Sequence, residues 1–274
     1  MLKTVKYYFS VAYGQLRLDS ISNWMYKSYL LPWLIGIPLQ AISGFFVLKA
    51  IMDLVGDIAG WGFPQVTFLF AMSQLSHGVD DLMFIQGRHI ESMVIRGEFD
   101  RSLLRPLGVF FQFATAIFNW CGFFSIVPGI VLFFYACSLL QMAITPFLVL
   151  FVIVLTISGA FIRGSLLYLI GCIAFWTKKS SSLAAIDVVL KERTSRFPFT
   201  MYPVWFQGFF TFMIPLGFIT FYPVSGLLNA PIGMHLPVPL DLLIWSPIAG
   251  ALMFIAARAV FMYALKHKYE SAGS

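Results

Sequence analysis

Apolar residues run along this chain in long stretches broken by short polar connections. The stretches fall at residues 29–51, 61–85, 111–140, 145–177, 205–228 and 240–265. About 20 apolar residues in a helix cross the roughly 30 Å of a bilayer's hydrocarbon, so each stretch is long enough to span. Residues 106–162 hold no formally charged side chain and are too many for one helix, so the run divides near 141–146. The stretch at 61–85 is the most polar, because it carries Gln74, His77, Asp80 and Asp81. Pro128, Pro215, Pro223 and Pro247 mark kinks or ends, which neighbouring helices tolerate by satisfying the freed backbone groups. Two further segments are amphipathic. In residues 1–28, Val5, Tyr8, Phe9, Ala12, Tyr13 and Leu16 recur at helical spacing with Lys3, Lys6 and Arg17 off that face, the pattern of a helix lying in the interface. The second is residues 86–106, closed by Pro106. The fold expected is an all-α integral membrane protein: one domain over residues 1–274, with six transmembrane helices and an N-terminal interfacial amphipathic helix.

Charge orients that bundle. Fifteen of the eighteen Lys and Arg residues lie in four clusters, at 3–27, 88–105, 178–196 and 266–268. The connections at 53–61, 138–146 and 229–240 contain neither residue. Lys and Arg resist translocation, so the basic clusters are expected on the cytoplasmic side, with both termini inside and an even number of spans. Composition agrees: 59% hydrophobic and 11% charged residues are too few polar groups to cover a soluble domain of 274 residues. The formal net charge of +6 follows from the same bias and from attraction to anionic headgroups, and no nucleic-acid partner is expected. Cys121, Cys137 and Cys172 lie in apolar runs without metal or redox spacing and read as small core residues. The first apolar stretch begins near Tyr29, too late and too long for a cleaved signal peptide.

Much chemistry is missing. The chain has no G-x-x-x-x-G-K-[ST] loop to cradle phosphates, no HExxH and no G-x-S-x-G. His77, His89, His235 and His267 are dispersed. No metal and no catalytic residue is expected, and any ATP and magnesium would sit on another subunit. Arg163 is the one basic residue deep in a span, flanked by Gly159 and Gly164. A guanidinium there costs at least about 2.5 kcal/mol unless it pairs or hydrates, so it is expected either to pair with Asp80 or Asp81 or to face a wet cavity. Arg258 is near enough to Lys266 to snorkel. Gly36, Ser43, Gly44, Gly217 and Gly226 permit close helix approach, within one subunit or across a dimer.

Residues 97–106 read Gly-Glu-Phe-Asp-Arg-Ser-Leu-Leu-Arg-Pro. This segment resembles a motif of one bacterial branch of the type-2 ABC transporter permeases: Gly, then Leu or Phe before Asp, then Leu-Leu-Arg-Pro. Phe175-Trp176-Thr177, Ile214-Pro215, Phe221-Tyr222-Pro223 and the terminal 269–274 follow in the order of that branch. The resemblance implies a permease subunit of an ATP-driven exporter of hydrophobic or cationic small molecules, in a bacterial cell membrane. It implies two permeases, identical or paralogous, and two ABC ATPase subunits. It makes 86–106 a cytoplasmic coupling segment between spans two and three, and charge of both signs there nominates Glu98, Asp100, Arg101 and Arg105 as its ATPase contacts. The alternative from the residues alone is a secondary transporter or channel that couples ions through Asp80 and Asp81.

Overall fold

The computed structural model describes residues 2–25, 27–230 and 242–269. His235, the start of the sixth expected span and the terminal motif beyond Tyr269 lie outside them. Helices α1 (Leu2–Met25), α2 (Lys27–Val55) and α3 (Phe63–Phe84) open the chain. Short helices α4 (Ile90–Ile95), α5 (Phe99–Leu103) and α6 (Val109–Ala114) follow. Then come α7 (Gly122–Leu139), α8 (Pro146–Cys172), α9 (Ala174–Thr177), α10 (Ser181–Arg196), α11 (Val204–Gly208), α12 (Phe221–Leu228) and α13 (Leu242–His267). No strand occurs among the described residues.

Four helices among the described residues are long and apolar enough to cross a membrane: 30–55 in α2, all of α7, 146–177 through α8 and α9, and 245–267 in α13. They match four of the six stretches read from sequence. The other two differ for physical reasons. Helix α3 is long enough, but it is the central helix of the bundle, buried along most of its length between α7 and α8. Its polar side chains face protein, so it does not need a lipid-compatible composition.

The expected fifth span, 205–228, is not one helix. It is α11, a π turn at Phe209–Met213, a break at Ile214–Pro215, a 3-10 turn at Leu216–Phe218, and then α12. The tip of this hairpin dips into the bundle, where the Ile219 carbonyl lies against Gly159 of α8 (a Cβ there would sit 2.8 Å from it). Gly159 is thirteen residues from Pro146, so the tip reaches about 20 Å from the start of α8 by helical rise. Non-helical backbone at that depth is possible only because it is buried in protein. Ser246 Oγ of α13 donates to the Phe218 carbonyl at 2.7 Å, and Thr211 Oγ1 and the Tyr222 hydroxyl share a bond of 2.6 Å across the hairpin.

Glycine sets the tightest crossing. A Cβ on Gly78 of α3 would lie 2.8 Å from the Gly122 carbonyl of α7, so the two backbones touch there. Gly44 packs inside the subunit, against the Phe70 ring and the Arg196 guanidinium, and Gly217 packs against Tyr222, whereas nothing lies within 4 Å of a Cβ on Gly36. Pro146 opens α8 after Thr145, whose hydroxyl caps the Leu148 amide at 3.2 Å.

Candidate functional site

The segment between α3 and α7 is built to present one face. After α4 the chain turns at Gly97 (φ 66°), a left-handed position that suits glycine. Phe99 is thereby buried within an aromatic cluster, 5.7 Å from the rings of both Phe175 and Phe261 and 5.6 Å from Tyr269. Gln112 Nε2 donates to the Ser102 and Leu107 carbonyls at 2.9 and 2.8 Å, bracing the turn that contains Pro106. Gln86 Nε2 donates to the Ala114 carbonyl and ties the start of the segment to α6.

Glu98, Arg101 and Arg105 come together around a shallow groove of 400 Å³ that Met93 and Arg96 also line. Glu98 pairs with Arg96 at 2.9 Å. Beside the groove Leu104 is 88% exposed, and Leu103 is exposed as well. Asp100 points elsewhere: its Oδ1 accepts from the Tyr269 hydroxyl at 3.0 Å, joining the segment to the chain just after α13. Burial and this bond to Asp100 push the Tyr269 phenol up to about 12, so it stays a donor at neutral pH.

Sequence reasoning missed Glu91. Its Oε2 accepts the amides of Ser180 and Ser181 at 2.5 and 2.6 Å, closing the N-terminus of α10 with a carboxylate from α4. The two backbone bonds hold the Glu91 carboxyl below its ordinary value of 4.5. A carboxyl with a lowered folded pKa contributes stability above its unfolded pKa and loses it as pH falls through the folded one. Protection of the Ser180 and Ser181 amides is therefore expected to persist from neutral pH to below 4.5 and to disappear only in more acid solution. Hydrogen exchange read by mass spectrometry checks this; loss of protection already at pH 5 to 6 would contradict it.

Two basic residues of the third cluster, Lys191 and Arg196, do not extend from the surface but pack inside the bundle. Helix α10 runs antiparallel along α8 and packs on α3, so its C-terminal half enters the interior. Lys191 (3% exposed) donates from Nζ to the Arg163 carbonyl at 3.1 Å and pairs with Asp187 at 2.6 Å. Arg196 pairs with Glu192 at 3.4 Å and lies over the Phe70 ring, 5.3 Å from its centroid. Both ion pairs have i,i+4 spacing, the one signal in the sequence that these charges satisfy one another.

Arg163 itself is 1% exposed and donates from Nη2 to Ser73 Oγ at 3.2 Å. No ion pair joins it to Asp80 or Asp81 among the described residues. The buried or half-buried charged side chains of this region are Arg163, Lys191 and Arg196 with Asp80, Asp187 and Glu192. Its hydrogen bonding is not saturated, since Arg163 Nε, Asp80 Oδ1 and Ser76 Oγ have no partner among the described residues.

Asp80 and Asp81 serve different surroundings. Asp81 faces away from the cluster and receives His77 Nε2 at 3.5 Å and Arg88 Nη2 at 3.4 Å. It lines a cavity of 450 Å³ beneath α1 and α2, with Asp19, Trp33, His89 and Asn119. Asp19 Oδ2 accepts the Phe118 amide at 3.0 Å and Gln15 Oε1 accepts from the Thr115 hydroxyl at 2.7 Å, fastening α1 to the chain after α6. Arg258 lies over the Phe110 ring, 5.9 Å from its centroid.

Four long apolar helices around a charged core, with a polar segment exposed at one end, are the architecture of a multi-pass membrane protein. A family model described as ABC-2 family transporter protein matches residues 39–273, and the chain belongs to that family. Members are membrane components of transporters and generally pair with an ATPase subunit. No curated protein and no solved structure matches the chain.

Proposed function

We propose that this chain is the permease subunit of an ATP-driven exporter, and that it moves a hydrophobic or cationic small molecule by alternating access. The observation that carries the reading is the family match over 39–273. Two permeases, identical or paralogous, and two ABC ATPase subunits make up the assembly. It sits in a bacterial cell membrane with both termini and residues 86–106 on the cytoplasmic side, where the ATP and magnesium belong to the ATPase. The exposed groove of Glu98, Arg101 and Arg105, beside Leu103 and Leu104, suits that contact: charge for orientation around an apolar anchor. Ion coupling through the Asp80–Asp81 pair is less favoured, because Asp81 is already engaged by His77 and Arg88.

Purification of the tagged chain from its own cells is expected to bring down an ABC ATPase. The reconstituted pair is expected to extrude ethidium, a fluorescent aromatic cation, on addition of ATP. Isolation without any ATPase would remove the proposal.

Charge reversal by Glu98→Lys or Arg105→Glu is expected to lower transport-stimulated ATP hydrolysis about tenfold while expression persists. Surface ion pairs contribute about 0–1 kcal/mol to folding, whereas charge juxtaposition at an interface costs more. Steady-state hydrolysis by the reconstituted pair measures it, and normal rates in both variants would remove these residues from the contact.

A further inference from the structure

Any displacement delivered to the exposed segment has to reach the charged core, and a polar route to it runs through the described residues. Segment 85–95 packs on α8: a Cβ on Gly87 would lie 2.8 Å from Leu167 and Tyr168 atoms, and one on Gly171 would lie 2.6 Å from Ile90 Cδ1. From that platform Glu91 reaches α10, accepting the amides of Ser180 and Ser181. At its other end α10 holds the core through Lys191, which bonds to both Asp187 and the Arg163 carbonyl. The turn before α10 is itself braced, with Thr177 Oγ1 donating to the Lys179 carbonyl at 2.6 Å and Lys178 in a left-handed conformation.

We propose that Glu91 is a positioning residue that makes α10 move as one body with the ATPase-facing segment, so that the stroke reaches the bundle interior through α10 and acts on the buried charges around Lys191 and Arg163. The unsaturated bonding of Arg163 Nε and Asp80 Oδ1 suits a cluster that exchanges partners when α10 shifts. A carboxylate spanning two backbone amides transmits push and pull alike, which an apolar contact between the same elements does not. This inference rests on the ATP-driven reading above.

The test uses the permease–ATPase complex, with the three native cysteines replaced and spin labels at Ile186 of α10 and Val131 of α7, both exposed positions. Double electron–electron resonance compares nucleotide-free and vanadate-trapped complexes. The wild type is expected to show a nucleotide-dependent change in the distance distribution. Glu91→Ala is expected to reduce the shifted population about tenfold, the scale of losing bonds to a charged acceptor, while ATP hydrolysis continues. Ser181→Pro removes one donor without touching the segment. It stands at the first position of α10, where proline is compatible with the helix, and, with the Ser180 amide still bonded, is expected to show a partial loss. Glu91→Gln, which keeps one acceptor oxygen, is expected to fall between. A wild-type shift that survives undiminished in Glu91→Ala or in Ser181→Pro overturns the role of Glu91. A wild-type complex that hydrolyses ATP with no nucleotide-dependent shift overturns the stroke through α10, whereas a complex that hydrolyses no ATP overturns the ATP-driven reading instead.

Discussion

Replacing Lys191 with methionine is expected to be the most damaging single change in the chain. It leaves Asp187 buried without its 2.6 Å partner. Removing one member of a buried ion pair costs about 3–5 kcal/mol, because the remaining charge stays desolvated. The helix also loses its bond to the Arg163 carbonyl. Thermal unfolding in detergent should show a large drop in midpoint and loss of the monodisperse peak. The double variant Lys191→Met with Asp187→Leu should recover most of the midpoint, since it removes both charges and leaves the cluster balanced. A single variant that melts like the wild type would place Lys191 outside the bundle after all.

Valine at Gly78 is expected to come next. Its Cβ would meet the Gly122 carbonyl at 2.8 Å and the Ile126 amide nitrogen at 3.0 Å, and backbone cannot rotate away as a side chain can. Overpacking costs about 1–3 kcal/mol where neighbours adjust, and more where two helices have to separate. Gly122→Val meets the same crossing from α7, with the Leu82 amide nitrogen 2.9 Å away. Both variants should be recovered at low yield and with lowered melting midpoints. Gly36→Val, with nothing within 4 Å, should match the wild type. Equal yields for all three would mean α3 and α7 do not cross as closely as described.

The long helices were legible because lipid imposes a simple rule: α2, α7, α8 and α13 are apolar for the length of a span and carry almost no charge. The place of Arg163 within a long apolar helix was legible too, but its partner was not: it donates to Ser73, and no ion pair to Asp80 or Asp81 forms among the described residues. The path of α10 was not. A Lys or Arg in a short polar stretch looks the same whether water or a carboxylate four residues away satisfies it, and the positive-inside rule counts it outside either way. The broken fifth segment escaped for the opposite reason. Residues 205–228 are as hydrophobic as a span, and apolar length does not distinguish a crossing helix from a hairpin buried in protein. Prolines 203 and 215 were the available sign, yet Pro128 and Pro247 sit inside unbroken helices. Glu91 was invisible because its partners are backbone amides, which every residue but proline carries.

Helix α10 also sets the order in which the chain is made. Its sixteen residues include Asp187, Lys191, Glu192, Arg193 and Arg196, a composition that the insertion machinery would not release into lipid as a separate segment. The helix docks only when its neighbours are in place: α8, whose Arg163 carbonyl receives Lys191, and α3, both synthesised before it. Docking of α10 thus follows the synthesis of α3 and α8 and precedes that of α13, and nascent chains long enough for α10 to clear the ribosome should leave it accessible to protease until α3 and α8 have closed together. Biogenesis of this protein is consequently sensitive at two distant places at once, and damage on α8 at Arg163 should appear first as a failure to dock α10.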